Sequence, residues 1–183
     1  MIFSYSLKST AYHEAGHVLM ASINEHTING AEIIIIPHLK CPCGSVYTLP
    51  TILQYVSSFF SAQKRLDFYI KRAMIFAAGH VAQELLTPKN VKKENRQGMG
   101  WYAWHDTNHD RIRMEEILKK MEEPSLKILC PPKEQDIFLK IKALFSIPEN
   151  KKTLRKIARA LVHECHKTGR LEEEEIKKIL RSK

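Results

Sequence analysis

The residues most able to do chemistry are His13-Glu14-Ala15-Gly16-His17, an H-E-x-x-H sequence. They sit inside a helical pattern from about Ser9 to Ile23, where Ala11, Ala15, Val18 and Leu19 recur at one-face spacing. Residues four apart on a helix share a face, so His13 and His17 can grip one metal ion. Glu14 is rotated by about 100° and can reach a water at the metal's open position without binding the metal, the role of a general base. The apolar stripe falls opposite the histidines, so the helix is expected to bury one face and turn the other to a cleft. Gly16 lets another backbone come close. Chance spacing in a solvated helix is the alternative, and the segregation of the two faces weighs against it.

Imidazole and carboxylate ligands suit zinc, although cobalt or nickel fit the same set. A catalytic zinc site takes three protein ligands and keeps one position open. The extension that supplies a third histidine soon after the second is absent, because Met20 and Ile23 stand where its Gly and His would be. Two carboxylates compete for the third place. Asp110 continues the apolar stripe of Met114, Ile117 and Met121, and Glu84 falls on the stripe of Leu66, Ile70 and Ala77. An unpaired carboxylate facing a core is costly, so either needs a partner. Each has a plainer role: Thr107-x-x-Asp110 fits a helix-capping box, and Glu84 lies near the end of its helix. His105, Asp106 and His109 are further candidates by spacing alone.

The rest of the pattern reads as mainly α with a small β-sheet near the N-terminus. Asn29-Gly30 reads as a turn, Ala31 to Pro37 as a buried strand, Cys41 to Gly44 as a loop and Ser45 to Leu49 as a second strand. Long helices are expected over Gln63–Leu86 and Thr107–Glu122, with a loop over 87–104 between them. Pro124 and Pro131-Pro132 precede three more helices, Lys133–Phe145, Glu149–His166 and Glu172–Leu180, with Gly169 as a stop. The expected division is a core over 1–123 and a C-terminal helical subdomain over 124–183 packed on it.

With 44% hydrophobic residues in 183, the chain has enough apolar material for a packed core and too much for disorder. No apolar run approaches the roughly 20 residues of a membrane span, and the N-terminus lacks a secretory pattern, so a cytoplasmic location is expected. Cys41 and Cys43 form the one close cysteine pair and lack the second pair of a zinc knuckle; reduced thiols are expected. The net charge of +9 favours acidic partners, but the basic residues are spread out, which leaves nucleic acid the weaker alternative.

The segment Ser9 to His17 resembles the catalytic helix of FtsH-type zinc proteases, which are membrane-anchored AAA proteases. Looser likenesses follow. Ile33 to Pro37 resembles that family's strand before the site, and Gly44 to Pro50 its glycine–tyrosine–threonine strand. Ala78 to Leu85 resembles its Gly-Gly-Arg-Ala-Ala-Glu-Glu-Leu helix, and Asn108 to Arg111 its Ser-Asn-Asp-Leu segment. The resemblance implies an FtsH-type peptidase-domain fold with His13, His17 and Asp110 on zinc and Glu14 as base. Glu84 would then orient a ligating histidine, and Gly44, Ser45, Val46, Tyr47 and Thr48 would bind substrate as an added strand. The sequence holds no G-x-x-x-x-G-K-[ST] motif for ATP, 90–104 does not match the family's approach to the aspartate, and His80 replaces an arginine. The expected function is therefore a zinc metalloendopeptidase acting on unfolded or extended polypeptides without its own ATPase, with homo-oligomerisation open. The alternative is a non-catalytic polypeptide-binding module with a structural zinc site.

Overall fold

Helix α1 (Leu7–Ile23) is the hub of the molecule. A computed structural model describes residues 7–36, 41–48, 60–86 and 103–182, apart from the side chains of 36, 41 and 103–108. Every residue of α1 from Ser9 to Ala21 is buried except Tyr12. The face expected to turn to a cleft does line one, and its side chains are buried as well. α1 has helix on two sides and sheet on another, so even its histidines are covered.

Helix α2 (Ala62–Leu86) runs antiparallel to α1. Three contacts fix the pairing: Gln83 Nε2 donates to Ser9 Oγ at 2.8 Å, His17 Nδ1 to the Ile75 carbonyl at 2.7 Å, and Asn24 Nδ2 to the Lys71 carbonyl at 3.1 Å. Small residues make the approach possible. A Cβ at Gly16 would run into the Ala78 carbonyl and lie 2.8 Å from the Ala82 Cβ. Burial of Ala73, Ala77, Ala78, Val81 and Ala82 closes the seam.

The sheet has the order β2-β1-β3 and is antiparallel throughout. Its strands are β1 (Ile28–Ile36), β2 (Cys41–Thr48) and β3 (Arg170–Glu172). Two local expectations are corrected. Cys41 to Gly44 is paired strand, not loop, because its backbone bonds the isoleucines of β1. Asn29-Gly30 lies inside β1 at a register shift rather than in a turn. The third strand was not foreseen, since three residues are too few to show a period of two.

Helix α3 (Ala103–Met121) packs on α2 and buries Met114, Ile117 and Met121, the stripe expected from the sequence. Short α4 (Pro124–Lys127) leads to α5 (Glu134–Ser146) and α6 (Pro148–Cys165). α6 lies along α1 and buries Leu154, Ile157, Ala158 and Leu161 against the common core. Gly169, at φ +77°, ends that path in the left-handed region and turns the chain into β3. The Ile33 N–H donates to its carbonyl at 3.1 Å. α7 (Glu173–Arg181) closes the chain with Ile176 buried. Among the described residues, no helix is long and apolar enough to cross a membrane. The expected loop over 87–104 lies outside the described residues except for Ala103 and Trp104, whose backbone begins α3.

Candidate metal centre

Three side chains from two distant stretches converge. His13 Nε2 lies 3.0 Å from Asp110 Oδ2, His17 Nε2 lies 2.9 Å from the same oxygen, and the two Nε2 atoms are 3.0 Å apart. The helical spacing of α1 supplies the two rings, set edge to face. The face of α3 that buries Met114 supplies the carboxylate one turn earlier. Among the described residues this trio is the only cluster of metal-ligating side chains with mutually close donor atoms.

The arrangement fits a divalent cation. Two imidazole nitrogens facing each other repel unless something positive lies between them. Ligands about 2.0–2.1 Å from a tetrahedral ion stand roughly 3.3–3.4 Å apart, so the trio need open by only a few tenths of an ångström. The electrostatics agree. Burial opposes charge on His17, but the Asp110 carboxylate, the hydrogen bond to it, the charge of Glu14 and the Ile75 carbonyl raise its pKa to about 9. Burial likewise opposes charge on Asp110, yet the two histidines hold its carboxyl well below the usual carboxylate range. The site thus attracts positive charge, and a proton held there is what a metal ion would replace.

Two glycines shape the cradle. A Cβ at Gly79 would strike His17 Nε2 and come within 2.7 Å of His13 Nε2. A Cβ at Gly44 would strike the Glu14 side chain. Gly79 therefore leaves room for the donors, and Gly44 brings β2 against Glu14, which is buried. A cavity of about 510 Å³ opens here, walled by His13, Glu14, His17 and Asp110 on one side and by Gly44 to Val46 and Thr48 of β2 on the other. Tyr47 turns away, and its hydroxyl donates to Glu32. No strand pairs with the outer edge of β2 among the described residues.

The other sequence candidates separate. His109 is exposed and lines the cavity beside Asp110. Glu84 is exposed on α2, with a carboxylate oxygen 3.8 Å from Lys142 Nζ. The group that orients His17 is the Ile75 carbonyl. A backbone acceptor carries no signature in sequence, which is why it was missed. Gly79 stood in the sequence only within the segment that resembles the family's Gly-Gly-Arg helix, with nothing to show that it faces the two histidines. The side chains of His105, Asp106 and Cys41 lie outside the described residues, and Cys43 is half-buried in β2.

No family model matches the chain. Over 76 residues, 42% of this chain, it is 36% identical to the ATP-dependent zinc metalloprotease FtsH 1 of Methylacidiphilum infernorum (isolate V4). The match spans 11% of that protein's length, so the likeness is to one region of a zinc metalloprotease.

Proposed function

We propose that the chain is a zinc-dependent endopeptidase domain that cleaves extended polypeptide. The observation carrying this reading is the convergence of His13, His17 and Asp110 beside buried Glu14, in a cavity walled by Gly44 to Val46 and Thr48 of β2. The partial likeness to a zinc metalloprotease supports it. His13, His17 and Asp110 would hold the ion. Zinc bound there supplies Lewis acidity, which makes water acidic near neutral pH and polarises a carbonyl.

The chain's own groups do the rest. The Ile75 carbonyl holds the Nδ1 proton of His17 and leaves Nε2 to the metal. Glu14 takes a proton from the attacking water and returns it to the leaving nitrogen, so one carboxylate serves as base and then as acid. The outer edge of β2 offers backbone donors and acceptors from Gly44 to Thr48, which only extended substrate can match. Folded proteins should therefore resist cleavage.

The test uses casein as a flexible substrate, without ATP. The Glu14→Gln protein should keep its zinc and lose about 10²-fold or more in rate, the usual share of a general base. Equal rates for variant and parent would remove Glu14 from the mechanism. Zinc retained with no cleavage by the parent would pass the cleft to a binding role.

A further inference from the structure

Beside the metal centre the cleft continues. Arg72, Phe76 and His26 line the cavity that contains His13 and Glu14, and the same three line a second cavity of about 720 Å³ between α2 and α3. Arg72 stands one helical turn before Ile75, whose carbonyl holds His17. Its guanidinium lies 5.8 Å from the Phe68 ring centre and 5.6 Å from that of Phe76. The two rings fix it where the cavities meet.

Among the described residues the charge on Arg72 has no acid to offset it. No carboxylate among the described residues lies within ion-pair distance of it. Burial and the nearby Arg113 both press against it and lower its pKa. Burial, with Arg72 and Lys71, also holds His26 below its ordinary value. The second cavity adds Lys64, Arg65, Lys71, Arg113 and Lys120. It has three carboxylates against six lysines and arginines: Glu116 lies 3.1 Å from Arg113, Asp67 accepts a hydrogen bond from Gln63, and Glu25 is exposed at the rim. A half-buried guanidinium without an acid is costly, and a carboxylate matches its fork with two hydrogen bonds.

We infer that the second cavity is a specificity subsite that receives an acidic side chain of the polypeptide substrate, with Arg72 as the residue that reads it. The inference rests on the peptidase reading for its substrate class. Continuity with the cleft beside β2 favours an extended peptide over nucleic acid.

The experiment measures fluorescence anisotropy of zinc-loaded Glu14→Gln protein with two unstructured peptides. They differ only in glutamates replaced by glutamines. The acidic peptide should bind about tenfold tighter or more at low salt, and Arg72→Gln should abolish that difference while leaving the glutamine peptide unchanged. Arg113→Gln should reduce it in part, which keeps a second variant in hand should Arg72→Gln fold poorly. Equal affinity for the two peptides, or binding of neither, overturns the subsite. Tighter, Arg72-dependent binding of a single-stranded oligonucleotide would overturn it in favour of nucleic acid. If charge preference persists but the parent cleaves neither peptide, the peptidase reading fails and the subsite stands.

Discussion

His17 is the residue whose behaviour depends most on its neighbours. Its imidazole is buried, which favours the neutral ring, yet the Asp110 carboxylate raises its pKa to about 9. A raised histidine stabilises the fold fully below its unfolded value near 6.5, and that contribution fades as pH climbs toward 9. Asp110 has the opposite sign: its depressed pKa stabilises above the ordinary 3.8 and is lost as pH falls. Chelator-treated protein should therefore be most stable between about pH 4 and 6.5, and its Tm should drop on the order of 5 °C between pH 6.5 and 9. Asp110→Asn should flatten that alkaline limb. A Tm that falls equally in both proteins would mean that the His17–Asp110 pair contributes nothing there. Below pH 9, zinc uptake should also release a proton from the site.

At the scale of elements, the helices and the strand edge matter for how closely they approach. Gly→Ala inside a helix ordinarily stabilises by about 1 kcal/mol. At Gly79 the sign should reverse, because the new methyl meets the Nε2 atoms of both histidines. Gly79→Ala should lower zinc affinity at least tenfold and cost about 1–3 kcal/mol, the range for overpacking. Gly44→Ala should instead keep zinc and lose hydrolysis, because its methyl meets Glu14. Zinc binding by Gly79→Ala as tight as the parent's would contradict the cradle. The helices themselves were legible, since long apolar stripes such as Met114, Ile117 and Met121 leave few alternatives. The ends of β2 were not, because Cys41 to Gly44 becomes strand only by pairing with β1. Nor was the enclosure of α1, which depends on α2 and α6 arriving on two sides.

Across the whole molecule, the proposed centre joins parts of the chain far apart in sequence, with His13 and Asp110 standing 97 positions apart. The H-E-x-x-H half of the site was visible because both ligands share one helix. The third ligand was not fixed by spacing, since Asp110 and Glu84 each sat on an apolar stripe. The packing of α3 on α2 brings Asp110 to the histidines, while Glu84 lies near Lys142 of α5. An ion held by α1 and α3 together stabilises only the folded chain. Zinc at 100 times its Kd should add about 2.7 kcal/mol and raise Tm by about 5–10 °C, reversed by chelator and absent in His13→Ala. The most direct measurement is zinc per chain, by elemental analysis, for parent, Asp110→Ala and Glu84→Ala proteins dialysed against the same buffered free zinc. One zinc per chain in the parent and in Glu84→Ala, with most of it lost in Asp110→Ala, is the expected result. Full zinc in Asp110→Ala, or none in the parent, would contradict a centre built from His13, His17 and Asp110.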